Sequence, residues 1–267
     1  MTLQGLIDSI PIVGIFAAFA VVVLGTSEVG YRIGRWWQER TPEEREGPTP
    51  MIVGSLLALM AFLLAISMGM ASDRFNTRRM LILEEANALG TTYLRAGYLP
   101  EPASSDTRAL LREYVPLRMA TNDMTENRKR IARSVDLQAK LWSIAEESAR
   151  AMPNSVVLGL YIDSVNEVID LHGKRIAASI YGRVPETILL LLLFGSMLTL
   201  AMVGFNAGLT RRRSPLTAVV LIFVLGAVIT VVFDLDRPRG GFLEVSQQPL
   251  IDLQDQIGAT PLPNLVQ

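Results

Sequence analysis

The chain has 267 residues, of which 50% are hydrophobic and 19% are charged, and its formal net charge is -1. A near-neutral balance gives no basic footprint for nucleic acid, and the absence of cysteine excludes disulfides, thiolate metal sites and cysteine nucleophiles. Most of the charges lie in the turns between uncharged stretches and in one central block, which indicates that part of the chain lies in lipid and part in water.

Uncharged stretches at four places predict membrane-spanning helices. Each has the roughly 17 to 25 residues that a helix needs to cross a bilayer core. The first is expected to be a retained helix and not a cleaved signal, because no basic residue precedes it. The sequence therefore predicts a multi-pass protein of the inner (plasma) membrane, with spans at Ser9–Ser27, Met51–Ser72, Thr187–Thr210 and Ser214–Phe233.

Basic residues are concentrated in the two turns that join the paired spans. The loop Tyr31–Pro50 holds four arginines among four glutamates, and Arg211–Arg213 forms the other turn, with Ser214 as a predicted helix cap. These seven basic residues face two in the C-terminal tail, so the positive-inside rule predicts that the termini and the central block are extracytoplasmic. Basic residues at the membrane-proximal ends of the central block are discounted, because long domains translocate largely regardless of charge.

The central block is predicted to be helical throughout. Asp73–Ala96 continues the second span, and a second helix begins near caps at Ser104 to Asp106 and runs to about Met124, bent or interrupted by Pro116. A third helix is predicted over Thr125–Met152, and a fourth begins at a cap on Asn154 and ends near Gly182.

These elements predict an all-α integral membrane protein with four transmembrane helices and a helical extramembrane bundle inserted between helices two and three. The tail after Gly240 has no helical periodicity and is expected to be irregular. The predicted domain ranges are 1–72 for the first two spans and their basic loop, 73–186 for the bundle, 187–233 for the last two spans, and 234–267 for the tail.

Several separated motifs resemble the bacterial bestrophin-like family of unknown function. They are Leu83–Arg95, Leu99–Pro102, Asn166–His172, Asp234–Pro238 and Ser246–Pro249. The resemblance covers most of the chain and implies a remote similarity to bestrophins, which are pentameric anion channels with four membrane helices and a cytosolic helical domain. That cytosolic placement conflicts with the orientation expected from the basic residues.

The membrane helices contain few polar groups that suggest an ion pathway. Two glycine pairs, Gly30 with Gly34 and Gly204 with Gly208, have the spacing that lets helices approach closely, within this chain or between copies. A homo-oligomer embedded in the lipid bilayer is therefore expected. The candidate pathway groups are Glu28, Ser55, Ser67, Ser196, Thr199 and Asn206.

The motif from Asp234 to Pro238 lies where the fourth span leaves the bilayer. Asp234 and Asp236 at a helix C-terminus oppose the helix dipole, so they need Arg237, another arginine such as Arg74 or Arg183, or a bound cation. A salt-bridged terminus is the preferred interpretation over an ion site, because charges at the membrane interface commonly pair.

Carboxylates and one histidine on the first and fourth helices of the central block raise the hypothesis of a metal site between them. Helical di-metal proteins use Glu-x-x-His, whereas Asp170 follows Glu167 at that spacing and His172, the single histidine, lies on another face. The pattern fails, and no metal or cofactor is expected. The residues of this hypothesis are Glu84, Glu85, Glu167, Asp170 and His172.

No nucleophile with its base and no phosphate-binding glycine loop is present, so an enzyme is not expected. Two hypotheses stay open. The first is an oligomeric channel for a small ion, with anions as the first candidates. The second is a non-conducting membrane sensor or scaffold whose helical bundle binds a ligand or a protein partner. The candidate interface or pathway residues are Glu85, Asn87, Asn166, Glu167, Asp170, Asp234, Asp236 and Arg237.

Overall fold

The computed structural model describes residues 10–41, 48–121, 123–211 and 215–258, and the regular structure in these ranges is helical. Helices α1, α2, α6 and α7 are long and apolar enough to cross a membrane. The predicted all-α class and its four spans are confirmed. The helices are α1 (Ile12–Arg40), α2 (Thr49–Arg95, followed by the 3-10 turn Ala96–Tyr98), α3 (Ala103–Leu117), α4 (Met124–Ala151), α5 (Val156–Ile180), α6 (Glu186–Thr210), α7 (Pro215–Asp236) and α8 (Gln248–Ile257).

Helices α1 and α6 run parallel in backbone contact. A Cβ atom added at Gly30 would lie 2.0 Å from the carbonyl oxygen of Ala201, and one at Gly34 would lie 2.1 Å from that of Phe205. Gly204 meets the backbone of α1 equally closely, with Ser27 O at 2.0 Å. The two glycine pairs therefore join helices within one chain, which is one of the two arrangements that their spacing predicted.

The first helix is longer than the sequence suggested. The predicted loop Tyr31–Pro50 is wrong as far as Arg40, because α1 continues to that residue. Gln38 is buried near its end and accepts a hydrogen bond from Arg211 Nε at 2.7 Å, so tertiary contacts with α6 extend the helix. Residues 42–47 of the predicted loop and the predicted cap Ser214 lie outside the described residues.

Two compact units divide the chain, and each has its own apolar core. The first comprises Met1–Phe75 and Arg183–Glu244. Its core draws side chains from all four membrane helices, among them Val23, Leu64, Leu192 and Ile229. The second comprises Asn76–Gly182 and Val245–Gln267. Its core joins the end of α2 to α3, α4, α5 and α8, through side chains that include Leu89, Leu111, Leu141, Val165 and Leu250.

Two boundaries in the second unit differ from expectation. The helix predicted to reach about Met124 ends at Leu117, directly after Pro116, and the side chains at Ser104 to Asp106 do not cap it. Ser155, not Asn154, caps α5 by accepting a hydrogen bond from the backbone of Leu158 at 3.3 Å. Arg118 follows Leu117 as the C-terminal cap residue of α3.

The tail expected to be irregular contains helix α8. Pro249 lies in its first turn, and Gly258 ends it in the left-handed conformation at φ 67°. The side chains of Leu250, Leu253 and Ile257 are buried in the core of the second unit. A segment of ten residues is too short to be stable as an isolated helix, so packing on that core and not local propensity accounts for it.

Candidate functional site

Glu85 is completely buried inside the second unit and is held by two arginines. Its Oε1 accepts a hydrogen bond from Arg118 Nε at 2.7 Å, and its Oε2 accepts one from Arg175 Nη1. Arg175 Nη2 also donates to the backbone carbonyl of Arg118 at 3.3 Å. We call these three residues the Glu85 clamp, and it joins α2, the end of α3 and α5.

The helices place these side chains inside for reasons that the sequence explains locally. Glu85 follows Ile82 by three residues and precedes Leu89 by four, so it shares the buried face of α2 with them. Arg118 is the C-terminal cap residue of α3, directly after Leu117. The buried carboxylate is satisfied on both oxygens, and burial lowers the pKa of Arg175 while the charge of Glu85 opposes that change.

A row of hydrogen-bonded polar side chains lies beside the Glu85 clamp. Gln138 Nε2 donates to Tyr114 Oη at 2.9 Å, and Tyr114 Oη lies 3.3 Å from His172 Nδ1. The guanidinium of Arg118 lies 5.8 Å from the centre of the Tyr114 ring. Burial raises the pKa of Tyr114 to about 12, and burial followed by the charge of Arg118 lowers the pKa of His172 to about 4. Both side chains are therefore neutral at physiological pH.

The remaining candidate residues of the second unit lie on its surface. Asn87 is exposed on α2, two positions from Glu85 and on a different face. Asn166, Glu167 and Asp170 are exposed on α5, where Asn166 Nδ2 lies 3.4 Å from Asp170 Oδ2. Glu85 and His172 are buried, so the structure does not bring together the carboxylates that were weighed as a metal site.

Asp234 and Asp236, at the end of α7 in the first unit, each organise a different segment. Asp234 accepts hydrogen bonds from the backbone of Phe242 and of Leu243, both at 2.9 Å. A Cβ atom at Gly241 would lie 2.2 Å from Asp234 Oδ1, so only glycine fits this turn without displacement. Asp234 therefore folds the chain back after the helix.

Asp236 connects α7 to the segment before α6. Its Oδ1 accepts a hydrogen bond from the backbone of Val184 at 2.7 Å, and its Oδ2 accepts one from Arg183 Nε at 3.2 Å. Arg183 is one of the three arginines named as possible partners from the sequence. Arg237 Nη2 donates to the carbonyl of Ile10 at 2.7 Å, which joins the same region to the segment before α1.

Sequence reasoning missed the partners that give Glu85 its role. Arg118 and Arg175 lie 33 and 90 positions away, and no local spacing connects them to Glu85. Tyr114 and Gln138 carried no signal beyond ordinary helical positions. Two further arginines of the second unit join helices to one another: Arg95 donates to Leu160 O at 2.6 Å, and Arg112 donates to Ile257 O at 2.8 Å.

The sequence as a whole decides the family. A model of the bestrophin-like domain matches residues 12–250. The chain belongs to the bestrophin-like family. The family resemblance of its separated motifs is thereby confirmed. A comparison with curated proteins found no match to the sequence.

Solved structures share the fold of this bestrophin-like chain at low sequence identity. A bacterial bestrophin homologue from Klebsiella pneumoniae is 15% identical with a TM-score of 0.67, covering 94% of this chain and 100% of that one. A single-residue variant of a homologue from the same organism is 15% identical with a TM-score of 0.66, covering 92% of this chain and 97% of that one. A membrane protein with a proline-to-alanine substitution is 14% identical with a TM-score of 0.68, covering 92% of this chain and 100% of that one. These similarities establish the fold.

Proposed function

We propose that this bestrophin-like protein is a homo-oligomeric channel for a small ion, with anions as the first candidates, and not an enzyme. The observation that carries the proposal is a face of α2 that the chain itself leaves uncovered. The family and the fold support it, because the bestrophin resemblance implies anion channels in which several subunits surround a pore.

In the first unit, the uncovered face of α2 is mainly apolar. Leu59, Phe62 and Ile66 are exposed at 54%, 62% and 46% and recur every three to four residues, so they lie on one side of the helix. Ser55 and Gly69 extend the same side and are exposed. An apolar stripe with one hydroxyl suits either lipid or a narrow, weakly hydrated pore, and an oligomer that turns this face inward provides the pore.

In the second unit, α2 has its own row of exposed side chains at helical spacing, three of them polar and one, Met80, apolar. Asn76, Met80, Glu84 and Asn87 are exposed at intervals of three to four residues. Asn87 is thus the candidate residue on this face, whereas Glu85 points into the core. Neutral amides next to an aqueous path bind ions weakly enough to release them, which conduction requires.

Electrical recording of purified protein in planar bilayers tests this proposal. We expect currents that reverse near the chloride equilibrium potential in a salt gradient, and we expect Phe62→Ala and Asn87→Asp to change conductance or ion selectivity. Leu198→Ala is the matched control, because Leu198 is equally exposed, at 58%, on α6 and not on α2. Folded protein that is electrically silent, or Phe62→Ala indistinguishable from Leu198→Ala, contradicts the channel and favours the sensor or scaffold.

We further propose that both termini and the second unit are extracytoplasmic in the inner membrane. Arg211 bonds to Gln38, so the ends of α1 and α6 that carry the basic residues belong together in the first unit. The positive-inside rule assigns that end to the cytoplasm. Single cysteines at Ser105, Thr210 and Ser246, probed in intact cells with an impermeant thiol reagent, test it. We expect labelling at Ser105 and Ser246 only; labelling of Thr210→Cys alone reverses the orientation.

A further inference from the structure

His172 is the chain's one histidine, and its ring is nine-tenths buried among charged and polar side chains of four helices. Tyr114 and Arg118 face it from α3, Glu85 from α2 and Arg175 from its own helix, α5. From α4, Gln138 reaches it through the hydroxyl of Tyr114. Two guanidiniums and one carboxylate leave this group of residues with one excess positive charge.

The hydrogen bond between Tyr114 and His172 fits either direction, and the neighbouring donor Gln138 favours Tyr114 as the one that donates. Gln138 donates to Tyr114 Oη, so the hydroxyl proton is available to donate, and His172 Nδ1 is its acceptor among the described residues. With Tyr114 as the donor, Nδ1 is the unprotonated nitrogen and the neutral ring carries its hydrogen on Nε2. That Nε2 is buried and has no hydrogen-bond partner within the described part of the chain.

We propose that His172 is a buried proton-binding site whose occupation reverses the hydrogen bond between Tyr114 and His172 and weakens the Glu85 clamp. A proton from solvent that binds Nδ1 turns this nitrogen into a donor. Tyr114 Oη then receives donors from both His172 and Gln138, and its own proton must find a new acceptor. The excess charge of the group rises from one to two, with Arg118 and Arg175 as the neighbours that are repelled.

The pH dependence follows from the charged form being disfavoured in the folded protein. Burial, and then the charge of Arg118, lowers the pKa of His172 from 6.5 to about 4. The folded state thus binds fewer protons than the unfolded state between these values, so stability is fully present above pH 6.5 and falls as the pH drops toward 4. In that window, one site changes the unfolding equilibrium constant by up to about tenfold per pH unit.

Nitrogen NMR of the full chain, labelled with ¹⁵N-histidine and held in lipid nanodiscs, measures this site directly. One residue gives one pair of ring signals, so assignment is unambiguous. We expect the shifts of a neutral ring protonated on Nε2 at pH 7 and at pH 5.5. A ring that titrates near 6.5, or one that carries its hydrogen on Nδ1, overturns the proposal without any need for a variant.

Two substitutions connect the proton to the clamp. Tyr114→Phe removes the hydroxyl that stabilises the neutral ring, so we expect His172 to protonate at a higher pH than in the parent. His172→Gln keeps a polar side chain that does not titrate, and we expect it to abolish the loss of stability between pH 6.5 and 4.5. His172→Phe replaces it should the glutamine variant not fold. An unchanged pH slope in the folded variant refutes the proposal.

Discussion

Gly30→Ala is expected to separate α1 from α6 and to destabilise the first unit. The new Cβ would lie 2.0 Å from the carbonyl oxygen of Ala201, whereas ordinary contacts begin at 3.4 Å. The helices must move apart by about 1.4 Å there, and a gap of about 1 Å already forfeits up to half of a van der Waals contact. Overpacking of this kind costs about 1 to 3 kcal/mol, and we expect the upper part of that range because the obstacle is backbone.

Gly25→Ala is the matched control in the same helix. A Cβ at Gly25 meets nothing within 4 Å, so alanine there gains only helix propensity, about 0.5 to 1 kcal/mol. Unfolding of both variants in mixed micelles, followed by helicity against the denaturing detergent fraction, gives the difference. Gly204→Ala, whose Cβ would lie 2.0 Å from Ser27 O, should reproduce the loss from the other side. Equal stability of the Gly30 and Gly25 variants refutes the close parallel packing.

Two further substitutions examine the contacts at the helix ends. Asp236→Asn removes the charge that pairs with Arg183, and we expect a loss of about 2 kcal/mol in unfolding free energy and reduced folded yield; full yield with altered conductance instead identifies an ion site. Arg112→Ala releases the carbonyl of Ile257, and we expect faster amide hydrogen exchange confined to α8, with Arg150→Ala as the exposed control. Exchange that rises throughout the second unit contradicts a role limited to that helix.

The membrane helices were predictable because an uncharged, apolar run of about 20 residues is typical of a membrane-spanning helix. The end of α1 was not predictable, because a segment with Arg32, Arg35 and Arg40 has the composition of a loop. It is helical in the structure, where Gln38 accepts a hydrogen bond from Arg211 at the end of α6. Helix α8 was missed for a related reason. Its three buried apolar residues span fewer than three turns, and the core that covers them comes from elsewhere in the chain.

The candidate site was predictable only in part. Glu85 was named from its sequence motif, but the adjacent Glu84 is also a carboxylate. Only the rotational position of each residue around α2 distinguishes the buried Glu85 from the exposed Glu84. The sequence pattern around His172 does not match a metal site and predicts no other role for it. Its actual partner, Tyr114, comes from a helix 58 positions earlier, and such pairs depend on tertiary packing that periodicity does not encode.

The Glu85 clamp allows stability and function to be separated. Glu85→Gln leaves the buried guanidiniums of Arg118 and Arg175 without a counter-charge, so we expect a loss of about 3 to 5 kcal/mol in unfolding free energy. Buried ion pairs replaced together by apolar residues of similar size are often neutral or stabilising by about 1 to 4 kcal/mol. The triple variant Glu85→Leu, Arg118→Met, Arg175→Met should therefore recover the stability that the single variant loses.

Unfolding in mixed micelles and bilayer recording of the same preparations distinguish the two roles of these charges. A triple variant that is stable but has altered currents, or that no longer responds to pH, means that the charges are kept for function, since packing alone supports the fold. A triple variant as unstable as Glu85→Gln means that the ion pairs themselves stabilise the second unit, and the desolvation argument is then wrong for this site.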